Sequence, residues 1–345
     1  MVITMGKKTF DLLALGEILL RLSPSGNERL VQGEVLHKQV GGAELNVVSG
    51  TALLGLKTGI ISKLPENAIG NFAKNRVRFS GVSDDWLVYD EDKDARLGIY
   101  FYENGAHPRK PGIVYDRKHT SINKIDIADF PEELYSSTRC FHTSGITLAL
   151  SRQARETAIE MMKRFKENGT IISFDVNFRG NLWSGDEARE CIEAILPYVD
   201  IFFCSEETAR LTFLKEGNVQ EIMRSFAAQY PLSIIAATQR TVHSPKVHTF
   251  GSMIYNVKED KFYQEKPYEN IEVVDRIGSG DAYISGALYG LLKYDFSCEK
   301  ALAYGNAASA VKNTIPGDLP SSDLKEIDRI VQEHHSTGRR SEMDR

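Results

Sequence analysis

The chain has few cysteines, and none are arranged to do chemistry. Cys140, Cys191, Cys204 and Cys298 are scattered through 345 residues with no CxxC pair. That excludes a disulfide framework and a cysteine metal centre, and it places the protein in a reduced, cytoplasmic setting. An excess of positive charge is missing too: 42 lysines and arginines stand against 47 acids, for a net charge of −5. No basic stripe is present either, so a nucleic-acid partner is excluded. Long apolar runs are absent. The opening MVITMGKKTFDLLALGEILLRL is broken by Asp11 and Glu17 and no cleavage site follows, so it is neither a secretory signal nor a bilayer span. There are no internal repeats or low-complexity segments. What remains is 42% hydrophobic and 26% charged. Such a composition suits a globular enzyme of one large α/β domain or two modest ones.

From residue 140 onward, strand-like and helix-like segments alternate. ALSRQARETAIEMMKRFKENG places Ala154, Ala158, Met161, Met162 and Phe165 at helical spacing, with Ser151 as N-cap and Gly169 as the stop. TIISFDV follows as a strand covered on both faces. Next come a helix near 186–196, the strand VDIFFC, helices near 206–214 and 219–229, and the strand SIIAAT. Earlier, DLLALG and TGIISKL read as strands around the small-residue helix ELNVVSGTALLGL. This alternation predicts an α/β fold, a mostly parallel central sheet flanked by helices. Residues 17–40 and 95–117 break the rhythm with strand signals, turn residues and no helix. They predict two hairpins forming a small antiparallel β-sheet lid, the alternative being plain surface hairpins. The polar stretch 334–345, HHSTGRRSEMDR, reads as a flexible tail, leaving 1–333 as the domain.

The stretch VVDRIGSGDAYISGALYGLL, 273–292, carries the chemistry. Ile284, Ala287, Leu288, Leu291 and Leu292 make a helical face, so Gly278, Ser279 and Gly280 form a turn that opens a helix. Free N–H groups and the positive dipole end attract anions such as phosphate, and glycines let the backbone approach closely. Asp281 at this joint would ordinarily be a cap, but a cap does not need flanking glycines. An anion cradle beside a carboxylate points to phosphoryl transfer, the carboxylate accepting the proton of the attacking hydroxyl.

DRIGSGDAY resembles the C-terminal signature, DTxGAGDxF, of the ribokinase-like (PfkB) carbohydrate kinases. GGAELNVVSGTALLGL, with Gly41, Gly42 and Asn46, resembles their N-terminal signature. The resemblance runs from about residue 10 to about residue 330. It implies a ribokinase-like sheet with a β-sheet lid over the sugar, ATP as phosphoryl donor, and Mg²⁺ held mainly by nucleotide phosphates and water, with no metal-ligating residues assigned.

Within that family, VYDR, SFDVNFRGNLW and FHTSGITLALS resemble kinases of 2-keto-3-deoxygluconate. Their sugar acid needs guanidinium forks; the resemblance assigns these to Arg117 and Arg179, with surface ion pairs as the plain alternative. It also places Gly42, Asn46, Tyr100, Tyr115 and Asp318 against the sugar. Asn177, Ser205, Thr238, Arg240 and Asn306 fall on the nucleotide side with Gly278 and Gly280. The implied reaction phosphorylates the C6 hydroxyl with Asp281 as base. The alternatives are a neutral-hexose kinase such as a fructokinase, or a non-catalytic sensor on the same fold.

Three departures from the family pattern stand out. The signature's threonine is Arg276 and its alanine Ser279. The magnesium-organising NxxE reads Ser205-Glu206-Glu207-Thr208. Finally, ATQRTVHSPKVHTFGS lacks the glycine-rich nucleotide loop; His243 and His248 within it read as surface loop residues, not as ligands. Exposed strand edges in the hairpin regions predict a homodimer through the lid, with Glu34, Lys38 and Arg96 as opposing, edge-blunting charges.

Overall fold

A computed structural model describes residues 8–336. The first half of the chain gives β1 (Phe10–Leu15), β2 (Leu19–Ser23), β3 (His37–Gly41), α1 (Ala43–Leu53), β4 (Thr58–Pro65), α2 (Ala68–Phe79), β5 (Leu87–Asp90), β6 (Gly98–Glu103) and β7 (Gly112–Asp116). Then come β8 (Thr138–Ser144), α3 (Gly145–Leu150), α4 (Arg152–Glu167), β9 (Ile171–Asp175), α5 (Gly185–Ile195), β10 (Ile201–Phe203), α6 (Glu206–Leu211) and α7 (Val219–Gln229). The chain closes with β11 (Ile234–Ser244), β12 (Val247–Asn256), β13 (Lys261–Gln264), β14 (Tyr268–Glu272), α8 (Ser279–Lys293), α9 (Cys298–Asn313) and α10 (Leu324–His335).

The central sheet runs β13-β12-β11-β10-β9-β8-β1-β4-β5, with β14 also on β12. It is parallel from β11 to β5 and antiparallel among β11 to β14. Its strands are short apolar runs because both faces are covered, one by α1, α8 and α9, the other by α4, α5 and α7. Helix α4 shows how the sequence sets this layering. Ser151 Oγ accepts the Ala154 N–H at 3.0 Å, the predicted apolar positions are buried, and Gly169 ends the helix at φ +67°. Among the described residues no helix is long and apolar enough to cross a membrane.

The lid is a separate four-stranded sheet, β3-β2-β6-β7. Both hairpins form, but β2 and β6 join them in parallel, so the sheet is mixed, not antiparallel as expected. β2 follows β1 and β6 follows β5, and β1 and β5 run the same way in the parallel part of the central sheet. Two other expectations change. β11 extends through ATQRTVHS and pairs with β12, so His243 and His248 lie on strands of a hairpin and His248 is buried. Helix α10 continues to His335, where a tail was expected from 334. His334 Nε2 donates to Lys266 O and its ring stacks on Tyr268. Residues 337–345 of that tail and residues 1–7 lie outside the described residues.

A charged residue inside the apolar run ILLRL fastens the lid to the core. Arg21 on β2 is 2% exposed; its Nη2 meets Asp275 Oδ2 at 2.6 Å and its Nη1 meets Asp318 Oδ1 at 2.7 Å. Its Nε donates to Ser23 Oγ, and the guanidinium lies 4.3 Å over the Tyr102 ring. Tyr100 donates to the other Asp318 oxygen. Below, the buried Lys312 ammonium donates to Ile315 O and Asp275 O. Arg21→Met should leave two buried carboxylates uncompensated and cost about 3–5 kcal/mol in urea unfolding. A loss below about 1 kcal/mol would show that the lid is held by other contacts.

Candidate active site

The site forms at the carboxyl ends of the parallel strands, where open α/β sheets hold their ligands. Gly278 caps α8 at φ +80°, a left-handed conformation; a Cβ there would run into Asp318 O, so only glycine fits. The Ser279 N–H turns back to Arg276 O at 3.2 Å and the Ala282 N–H begins the helical ladder on Gly278 O. Between them, the N–H groups of Gly280 and Asp281 have no intrahelical acceptor and open toward the crevice. Asp281 is therefore not a cap but sits in the first turn. Its Oδ2 accepts from Asn46 Nδ2 at 2.7 Å, while the Asn46 Oδ1 is buried without a partner. Asn46 reaches this point because α1 starts one turn earlier at Gly42, where a Cβ would strike Glu17 O.

Two cavities meet here. The larger, about 530 Å³, lies under the lid and the smaller, about 190 Å³, under the ends of β9, β10 and β11. Asp175, Asn177, Arg179 and Gly280 line both, which marks where a group could pass from one bound molecule to another.

The structure gathers most of the predicted residues. Gly42, Asn46, Tyr100, Tyr115, Arg117, Arg179, Asp318, Asn177, Arg240 and Gly278 through Asp281 line the larger cavity. Ser205 and Thr238 line the smaller one. Asn306 lines neither. It is fully buried in α9, its Oδ1 accepting from Ser252 and its Nδ2 donating to Glu265, both at 2.7 Å, so no amide edge is left for an adenine ring.

The two arginines expected at the sugar differ. Arg117 is half-buried and ion-paired with Glu17, its buried Nε left without a partner. The Arg179 guanidinium is exposed and, among the described residues, has no carboxylate within ion-pairing distance. Its one hydrogen bond is a long contact to Phe178 O at 3.5 Å. The Asp318 carboxylate is taken up by Arg21 and Tyr100. Ser205 caps α6 and donates to Thr208 Oγ1, so both ends of the altered NxxE bond each other.

Sequence reasoning missed two acids. Glu44 in the first turn of α1 is 1% exposed and accepts from Ser144 and Thr147 at 2.6 and 2.7 Å. Asp175 ends the buried strand β9 and takes only the Asn177 N–H. The signal was available: an acid closing an apolar parallel strand points into the crevice. Burial pushes the Glu44 carboxyl up to about 6 against its hydrogen bonds. Burial, then the charge of Asp281, pushes Asp175 up to about 7. Burial also raises Asp281 to about 6, with Asn46 and Arg179 pulling the other way.

An anion turn beside a carboxylate beneath a β-sheet roof is the arrangement that the resemblance to ribokinase-like sugar kinases implies. The pfkB family carbohydrate kinase pattern matches residues 9–323, and the chain belongs to that family. A 2-dehydro-3-deoxygalactonokinase of Haloferax volcanii is 32% identical over 94% of this chain and 97% of its own length. A 5-dehydro-2-deoxygluconokinase of Clostridium botulinum is 26% identical over 94% of each. Among solved structures, a 2-dehydro-3-deoxygluconokinase of Thermotoga maritima superposes with a TM-score of 0.88 at 32% identity. That match covers 94% of this chain and 99% of the other.

The three raised carboxyls predict a pH effect on stability. Between about pH 4 and pH 7 the folded chain keeps protons that the unfolded chain has released, so the cluster costs stability as pH rises through that window. Asp175→Asn should therefore stabilise the protein at pH 8 by on the order of 1 kcal/mol, with the gain vanishing near pH 4. Urea unfolding at both pH values checks this; an equal effect at both would mean that Asp175 does not titrate in the window.

Proposed function

We propose that this kinase transfers the terminal phosphoryl group of ATP to the C6 hydroxyl of 2-keto-3-deoxygluconate, giving 2-keto-3-deoxy-6-phosphogluconate and ADP. The carrying observation is Arg179, an unpaired guanidinium on the same cavity wall as Asp281 and the anion turn. A neutral sugar gives that fork nothing to bind, whereas a carboxylate takes it bidentately. The names of the relatives, all dehydro-deoxy sugar acid kinases, support the same class. Because they include both a galacto and a gluco acid, both epimers are candidate substrates.

The hydroxyl oxygen forms the new bond to phosphorus while the bond to the ADP oxygen breaks. Asp281 accepts the hydroxyl proton, and the N–H groups of Gly280 and Asp281 receive the phosphoryl oxygens. Mg²⁺ would come in with the nucleotide, held mainly by its phosphates and water. Asp175, with no cationic partner, is the carboxylate that would reach it through water. The ion would supply charge neutralisation on the phosphates. A kinase drawing on ATP belongs in the cytoplasm.

A coupled ADP-release assay with both sugar acids and neutral hexoses tests this. Asp281→Asn should lower kcat by at least roughly 10², and the activity of the parent chain should fall as pH drops through about 6, as Asp281 takes up a proton. Arg179→Ala should cost on the order of tenfold or more in kcat/KM for the acids and little for neutral sugars. Equal losses on both would remove Arg179 from the sugar, and wild-type turnover in Asp281→Asn would remove the base.

The lid also supports pairing of two chains. β7 is the open edge of its sheet and exposes Ile113, Val114 and Tyr115, two of which line the sugar cavity. Pairing would cover that edge, although the Arg96–Asp116 ion pair borders it. Sedimentation equilibrium at micromolar protein should show a dimer that Val114→Lys dissociates; a monomeric parent chain would refute pairing through the lid.

A further inference from the structure

Arg276 stands where the family signature has a threonine, and the chemistry above leaves its side chain unused. Its main chain is fixed on both sides. Asp275 Oδ1 accepts the Ile277 N–H at 3.0 Å, Asp275 Oδ2 takes Arg21 and the Gly317 N–H, and Arg276 O closes the turn onto Ser279. The side chain lines the larger cavity beside Gly278–Asp281. Among the described residues its guanidinium has no carboxylate within ion-pairing distance and no hydrogen-bond partner.

Arg240, on β11, lines the same cavity in the same unpaired state. Burial and then the charge of Arg276 hold the Arg240 pKa below its usual value, opposed by Glu207. His248, on the neighbouring strand, is 3% exposed with its Nδ1 unpartnered, and it too feels both guanidiniums. Like charges gathered with no carboxylate in ion-pairing contact, Glu207 acting only at a distance, are unfavourable. An incoming anion of high charge would relieve that cost.

We propose that Arg276 and Arg240 form a two-guanidinium clamp on the nucleotide polyphosphate, with Arg276 a catalytic residue that bears on the phosphoryl group in transfer. This rests on the kinase reading above. A polyphosphate offers several oxygens to two forks, whereas a single sugar carboxylate is served by Arg179 and Arg117 across the cavity. Arg276 lies two residues ahead of the anion turn and lines the larger cavity with it, where a phosphoryl group in transfer would lie.

Isothermal titration of ADP and of pyrophosphate, without sugar, tests the clamp on the parent chain, Arg276→Ala, Arg276→Lys and Arg240→Ala. Arg276→Ala should weaken ADP roughly tenfold or more and lower kcat further, while the KM for the sugar acid stays within about twofold of the parent. Arg276→Lys should recover much of the affinity but little of kcat, because a point charge replaces a planar fork. The double alanine variant should lose less than the product of the single losses, as for groups sharing one ligand. An unchanged Tm checks the fold, and Arg276→Lys carries the same measurements if the alanine variant does not fold. Parent-like ADP affinity and kcat, or a loss confined to the sugar KM, would overturn the proposal. ADP binding that depends on Arg276 in a chain that phosphorylates no sugar acid would sink the substrate assignment and leave the clamp standing.

Discussion

The guanidinium of Arg21, sunk between Asp275 and Asp318, joins parts of the chain that meet nowhere else with such strength. One side of the fork belongs to a lid strand; the other grips the residue that shapes the anion turn and the loop that closes it. Burying three charges is costly, and an apolar replacement of the same shape could equal its stability. What an apolar plug could not do is point two carboxylates in chosen directions. Asp275 uses its free lone pairs to hold Ile277 and Gly317, and Asp318 uses its second oxygen to hold Tyr100. The lid over the larger cavity and the turn that opens α8 are thereby tied to a single planar group.

Around that anchor the charges of the crevice are left unsatisfied. Glu44, Asp175 and Asp281 sit in surroundings that favour their protonated forms, while among the described residues Arg179, Arg240 and Arg276 have no carboxylate within ion-pairing distance. In a core built only for stability these groups would be neighbours or absent. Acids and guanidiniums therefore line one cavity without forming ion pairs with one another, the arrangement that the proposed group transfer would use.

Much of this was legible in the sequence. The alternating pattern gave the parallel sheet because strands covered on both faces are continuous apolar runs. Gly278 and Gly42 could be read because a left-handed or crowded backbone tolerates no other residue. Asn306 could not be placed: an amide in a small-residue helix looks alike whether it faces a ligand or, as here, Ser252 and Glu265. The parallel join of β2 and β6 was hidden because periodicity reports which face a residue takes, not which strand lies beside it. Arg21 and Asp175 were overlooked although each is a lone charge at an apolar run, because their partners come from distant segments. Local pattern gives the element; the long-range partner gives the role.

The parallel register of the lid, Leu19 beside Gly98, also bears on how the molecule assembles. The two strands are separated by β3, α1, β4, α2 and β5, so their pairing must wait until most of that intervening unit is compact, with a loop-closure cost that local hairpins do not carry. The half of the larger cavity under the lid is therefore a seam between two segments far apart in the chain. It cannot be cut out, grafted or exchanged as one contiguous cassette, and exchange of substrate preference within this architecture has to proceed by point changes on a roof that stays sewn to its floor.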